Sequence, residues 1–270
     1  MTSASDPFNQ PDGHFNTLEL WTWVGCYGGY YLTSDALHEA GFEHGFFTRL
    51  WHDRGPDVLA AYLSAGVSVH RPQQVHSNRV LDASEAIRAP WPDADGLVSN
   101  RGGQSLWVCG ADCTPVLLAD PISGHVAACH AGWRGVATGI LPSAIQRLTT
   151  RGASPENLIV ALGPAVSGDR YQVETHVVEQ ISQAIRPEQP LKRSEMLRLK
   201  ILQSDPEDNK WRLDIRLAAR EQLRNSAIPA EQISICPLCT VSEPSLFHSW
   251  RRDKVKAVQW SGIVSQASES

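Results

Sequence analysis

Residues 107–135 read WVCGADCTPVLLADPISGHVAACHAGWRG, and the fold turns on this stretch. Its apolar runs WVC, PVLLA and HVAAC are too short for ordinary helices and are separated by Gly, Asp and Pro, the pattern of consecutive buried strands. DPISG, between the second and third runs, carries the Pro and Gly of a hairpin turn, so His130 is expected to end a strand. Cys113 stands between two of these strands. With His130 and the more distant His76 of QQVHSNRV it makes a candidate catalytic zinc centre, because such centres take three protein ligands from His, Cys and carboxylate and keep a fourth position open. The spacings are long, unlike those of a structural zinc finger, so the ligands would arrive from separate strands. The competing reading of the same residues is buried thiols and satisfied histidines in a core.

Outward from this centre, strands and helices follow one another without a regular period. Leu18–Leu32 is aromatic-rich and broken at Gly28 and Gly29, a predicted hairpin. Phe46, Phe47 and Thr48 favour a strand ending at Arg49, where a charged side chain can face a site. DVLAAYL (57–63) has helical spacing, and VSVHRPQQVHSNRVLDA (67–83) alternates as paired extended segments would. VATGILPSAIQRLTT reads as a helix kinked or reset at Pro142, NLIVALGP as a buried strand and THVVEQISQAI as a helix. WRLDIRLAAREQLRNSA is predicted to be one amphipathic helix with Leu213, Leu217 and Leu223 on a shared face. ISICPLCT and VKAVQWSGIV are predicted late strands, and the charged segment 186–210 a surface excursion carrying one helix. Residues 1–17 and 265–270 lack apolar periodicity and are expected to be tails around one domain, 18–264. Strands in runs mixed with helices predict an α+β fold with mixed sheets, and the lack of a GxGxxG opening or a Walker A sequence argues against nicotinamide and ATP.

Composition narrows the function classes. At 270 residues, 42% hydrophobic and 20% charged, the chain has ordinary globular usage and enough length for a sizeable core. A net charge of -5 argues against a broad footprint for duplex nucleic acid and leaves small molecules, since an anionic ligand needs only a few local arginines. Six unevenly spaced cysteines do not make a disulfide scaffold and point to a reducing compartment. The polar N-terminus carries no Lys or Arg, and WTWVGCYGGYYL is too short to span a bilayer, so a cytoplasmic protein without membrane contacts is expected.

QVHSNRV, ADGLVSN, GADCTPVLLAD, HAGWRG, LGPAVSGDRYQV and FHSWRRD, in this order, resemble the laccase-domain family, also called multicopper polyphenol oxidase or YfiH-like. The resemblance spans roughly residues 40–264. It implies a single α+β domain of layered mixed β-sheets flanked by helices. It also implies a zinc-dependent purine nucleoside phosphorylase with adenosine deaminase activity, acting on adenosine, inosine or methylthioadenosine with phosphate. The family's His, Cys and His metal positions fall on His76, Cys113 and His130. The chain departs from the family pattern in two ways: HDRGPDVLAAYLSAG after FFTR is shorter than usual and lacks the family's glycine-rich segment and Asn-Leu pair; and His248 and Trp250 stand where aromatics such as Phe and Tyr are more usual, while Tyr171 replaces a common Phe.

For those reactions other residues become candidates. Deamination needs a carboxylate to shuttle a proton, and Asp95 in DADG is preferred over Asp112, whose side chain on a strand would point away from Cys113. The rival reading of Asp95 is a turn former before Gly96. Phosphate needs arginine donors, and Arg134 in GWRG and Arg49 in FFTR are the candidates, with Arg49 also placed among the catalytic residues. Arg251 and Arg252 read as structural, and Cys236 and Cys239 as buried thiols. Three further functions stay open: a cysteine hydrolase using Cys113 and His130, a zinc-stabilised binding protein, and copper oxidase chemistry. The last is disfavoured because the chain has no His-x-His pair.

Overall fold

The computed structural model of the chain describes residues 18–266, so the tail expected at 1–17 lies outside the described residues. In chain order the strands are Trp21–Cys26 (β1), Gly29–Ser34 (β2), His44–Phe47 (β3), Ser68–His70 (β4), Val80–Asp82 (β5), Gly96–Val98 (β6), Gln104–Gly110 (β7), Thr114–Ala119 (β8), Val126–Ala131 (β9), Ile159–Leu162 (β10), Gln172–Glu174 (β11), Leu202–Ser204 (β12), Lys210–Leu213 (β13), Ile233–Ile235 (β14) and Gln259–Val264 (β15). The α-helices are Asp35–Glu39 (α1), Pro56–Leu63 (α2), Trp133–Ala137 (α3), Ile140–Thr149 (α4), Thr175–Ile185 (α5), Arg193–Arg198 (α6), Ile215–Asn225 (α7) and Trp250–Asp253 (α8). Two six-stranded sheets, ordered β1-β2-β3-β15-β7-β4 and β14-β10-β8-β9-β6-β5, accompany a small sheet β11-β13-β12. Both large sheets are mixed, with β4 parallel to β7, β10 to β14 and β5 to β6. No helix among the described residues is long and apolar enough to cross a membrane.

The two large sheets face one another, and the central stretch supplies the strands buried on both sides. Along β8, Leu117 and Ala119 pack toward the first sheet with Phe46, Leu106 and Ile263. Val116 and Leu118 pack the other way, against Ile145 of α4, Ile181 of α5 and Leu223 of α7. Both faces being covered, every residue of β8 and β9 is buried, which is why the sequence there runs apolar without alternation. The DPISG hairpin forms as expected: Thr114 pairs with Ala131 and Ala119 with Val126, while the Asp120 carboxylate accepts from the Ile122 and Ser123 backbone N–H groups. On the outer face of the first sheet, Leu59 and Ala60 of α2 cover Tyr31, Phe47 and Trp107. The layers are thus helix, sheet, sheet and helices, an α+β fold of mixed sheets.

Several local expectations need correction. β4 and β5 are not paired with one another; they join different sheets, beside β7 and β6. The predicted helix after GWRG divides at Gly139, whose φ of 84° breaks the turn, whereas Pro142 sits in the first turn of α4, where its missing N–H costs nothing. Trp211–Leu213 belongs to β13, and the helix starts only after Asp214, whose carboxylate accepts from the N–H groups of Arg216 and Leu217. The charged segment 186–210 is no mere excursion, since Leu191, Met196, Ile201 and Leu202 are buried among its charges. Nor is Ser265 a tail: it is buried and bonded to Gly103, Gln104 and Arg101.

Candidate metal centre

β9 carries His130 on the same side as Val126 and Ala128, so its imidazole enters the edge of the gap between the two large sheets. Cys113 immediately precedes β8. The turn that delivers it is held at Asp112, whose φ is 91° and whose carboxylate accepts from Thr240 Oγ1 at 2.7 Å and from the Arg251 N–H at 2.8 Å. Asp112 is therefore a structural acceptor in a turn, not a strand residue as expected. His76 reaches the same point from a loop in which its own φ is 61°, a left-handed conformation uncommon for a non-glycine residue.

The Asp95 carboxylate fixes that loop. It accepts backbone N–H groups from Val75, His76 and Ser77 at 3.2, 3.0 and 2.6 Å, and the Ser77 hydroxyl at 2.9 Å. Its Oδ1 also lies 2.9 Å from His130 Nδ1. One buried carboxylate thus positions two of the three expected ligands.

The donor atoms of His76, Cys113 and His130 all lie within 4.8 Å of one another, and the two imidazole rings meet edge to face with centroids 4.9 Å apart. Gly132 leaves room for them: a Cβ there would come within 2.8 Å of Cys113 Sγ. His130 is buried, Cys113 half-buried and His76 exposed, so the cluster opens to solvent on the His76 side.

Its electrostatics suit a metal. Burial raises the Cys113 thiol, but hydrogen bonds and charge from His130 and His76 outweigh it and bring the thiol down to about 6. Burial alone dominates at Cys109 and Cys129, which are pushed up to about 12 and stay thiols, so Cys113 stands apart as the thiolate of this neighbourhood. At His130 burial lowers the pKa, and Asp95 together with Cys113 overrides it, up to about 9. Burial raises Asp95, yet the hydrogen bonds of His130 and Ser77 prevail and hold it down to about 2. An ionised Asp95 accepts from His130 Nδ1–H, which leaves Nε2 as the imidazole's donor, the arrangement usual behind a metal-bound histidine. A thiolate and two imidazoles fit a borderline divalent ion.

Residues 56–265 match the model of the family described as multi-copper polyphenol oxidoreductase laccase. The chain belongs to this family. A purine nucleoside phosphorylase of Synechocystis sp. is 40% identical over 261 residues, covering 92% of this chain and 98% of that protein. An adenosine deaminase from an unknown prokaryotic organism is 31% identical over 189 residues, covering 67% of this chain and 68% of its own. The crystal structure of YlmD from Geobacillus stearothermophilus shares the fold with a TM-score of 0.77 at 26% identity, over 90% of this chain and 98% of that one.

Around the cluster this laccase-family chain places residues that the sequence ranks differently. Arg134 is exposed on α3, just beyond Gly132, with its guanidinium 4.7 Å from the Trp133 ring. Arg251, expected to be structural, lays its guanidinium 4.2 Å from the Tyr171 ring while its backbone N–H holds Asp112 beside Cys113. Burial pushes the Tyr171 phenol up to about 12, with the Cys113 charge adding to it and Arg251 and Arg134 opposing. Tyr171 and Arg251 thus share the electrostatic neighbourhood of Cys113. The residue types gave a signal, an arginine pair in FHSWRRD and a tyrosine in a usual phenylalanine position, but only the fold brings them together. Arg49 donates Nη1 to the Pro244 carbonyl at 2.6 Å and lines a different cavity with His52 and His248.

Proposed function

We propose that the chain is a zinc-dependent purine nucleoside phosphorylase, converting adenosine, inosine or methylthioadenosine and phosphate into free base and a sugar 1-phosphate, and that the same centre deaminates adenosine. The observation that carries this reading is the convergence of His76, Cys113 and His130 donors within 4.8 Å, with Arg251 and Arg134 acting on Tyr171 together with the Cys113 charge. The kinship with a phosphorylase and a deaminase supports it. Zinc held by these three ligands would supply a Lewis acid at neutral pH.

The rest falls to the chain's own residues. Arg134 and Arg251 are the donors for phosphate, whose oxygen bonds to the ribose C1′ as the bond from C1′ to the purine nitrogen breaks and its electron pair passes to the base, which takes up a proton. Tyr171, a buried neutral phenol, shares the electrostatic neighbourhood of Cys113, Arg251 and Arg134. Asp95 is fully buried with both oxygens engaged, so in this reading it is a positioning residue that acts through His130 and His76 rather than the proton shuttle expected from DADG. Arg49 enters no step here. Copper oxidase chemistry draws no support from the ligand set, because the described residues hold a single group able to bind a metal.

A thiol hydrolase is the second reading, favoured by the lowered Cys113 thiol beside His130. Chelation separates the two. Zinc-loaded protein is expected to resist alkylation at Cys113, to lose nucleoside turnover on chelation and to recover it with zinc. Turnover that survives chelation but not alkylation would establish the hydrolase instead.

A further inference from the structure

The cavity lined by Arg49, ≈ 310 Å³ in volume, contains none of the three metal ligands. It adjoins their neighbourhood through Gln259. That side chain lines the hollow against Cys113, accepts the His248 backbone N–H at 2.8 Å and donates back to the His248 carbonyl at 3.3 Å.

Its polar groups leave positive charge and a donor position unused. The Arg49 guanidinium is anchored to a neutral carbonyl, that of Pro244, and has no carboxylate within ion-pair distance among the described residues. Asp253, on the cavity wall, is already neutralised by Arg252, whose Nε and Nη2 donate to its two oxygens at 2.8 and 2.7 Å. His248 is only 7% exposed, and its Nε2 has no hydrogen-bond partner among the described residues. A buried ring nitrogen without a partner is costly unless a ligand or water meets it. The His52 ring stands 5.4 Å from that of His248 at the open side, where His52 also touches the exposed Asp53 at 3.3 Å. Burial first, then the charges of Arg49 and His52, lower the His248 pKa, in keeping with a cationic surrounding.

We infer that this cavity binds a phosphate group, with Arg49 as the charged donor and His248 Nε2–H and His52 completing its hydrogen bonds. A guanidinium with free N–H groups beside imidazole donors matches the tetrahedral oxygens of phosphate; of the acceptors on the same wall, Asp253 is paired with Arg252 and Ser249 Oγ accepts the Arg252 backbone N–H, and Val255 and Ala257 are apolar. Inorganic phosphate and the phosphate ester of a nucleotide present the same oxygens to it, and the two are distinguished by titration. This subsite is separate from the phosphate position at Arg134 and Arg251 and stands whether or not nucleoside phosphorolysis is the reaction.

The test is calorimetric titration of the zinc-loaded full-length protein with inorganic phosphate and, separately, with adenosine 5′-monophosphate. Wild type is compared with Arg134→Ala, His248→Phe and His52→Ala. The expected result is a binding event that survives Arg134→Ala and weakens at least about tenfold in His248→Phe and His52→Ala, as loss of a charge-assisted donor requires. Its appearance with inorganic phosphate identifies the free ion as a ligand, and its appearance only with the nucleotide identifies the ester. His52 is exposed, so His52→Ala keeps the test valid should His248→Phe fail to fold. Unchanged isotherms for both ligands in a folded His52→Ala protein and in any folded His248→Phe protein would overturn the inference.

Discussion

Cys113→Ala protein is expected to emerge folded but without metal, and with its nucleoside turnover gone. Sγ is the one anionic donor of the cluster, and its removal leaves two imidazoles, short of the three protein ligands a catalytic zinc centre uses. The loss of metal affinity should exceed the roughly 10–100-fold that follows removal of a mere outer partner of a ligand. Stability should change little by comparison, about 1 kcal/mol, because the side chain is small and half-buried. Metal content after dialysis, read beside a thermal melt, checks both halves. A folded Cys113→Ala protein that keeps stoichiometric metal would remove Cys113 from the ligand set.

Asp95 carries the second large effect, and here stability and metal binding should fall together. Asp95→Ala would leave three backbone N–H groups, the Ser77 hydroxyl and His130 Nδ1 without their acceptor in a buried position. Breaking a buried charged network of this kind costs about 3–5 kcal/mol. The left-handed His76 would lose the anchor that holds its φ at 61°, and metal affinity should drop roughly 10–100-fold. Asp95→Asn keeps the shape and one acceptor oxygen, so it should be milder in stability yet still weak in metal. The carboxyl also leaves a pH signature in metal-free protein. Burial opposes its ionisation, but His130 and Ser77 hold it at about 2, below the ordinary 3.8 of the unfolded chain. Its contribution is therefore complete above 3.8 and is lost as pH falls through about 2, a window worth about 2 kcal/mol. Melting curves across that range should show a shallower acid limb in Asp95→Asn than in wild type. Parallel limbs would deny Asp95 its place in the network.

How much of this the sequence disclosed follows from how local each feature is. The β8–β9 hairpin was legible because its turn residues and both apolar runs are contiguous, and the three ligand candidates because Cys and His carry their chemistry in their identity. The partners of β4 and β5 were not, since alternation marks a strand without naming its neighbour. Leu191, Met196, Ile201 and Leu202 were masked by the charges interleaved with them. Trp211–Leu213 reads as helix in the sequence because its apolar residues continue the helical face of α7, although Asp214 carries the correct starting signal. Asp95 was visible as an acid beside a turn, but its role depends on backbone donors from the His76 loop, which no spacing announces. Arg251 escaped for a related reason: it reaches the neighbourhood of Cys113 from the far end of the chain, through Asp112 and Tyr171.

The most direct measurement is to give zinc-loaded protein adenosine, with and without phosphate, and to separate the products by chromatography. Adenine and ribose 1-phosphate that appear only when phosphate is present are the expected products, with any inosine formed independently of phosphate at the same centre. Adenosine, inosine and methylthioadenosine all left intact by fully zinc-loaded protein, in the presence of phosphate, would contradict the assignment of this centre to nucleoside chemistry.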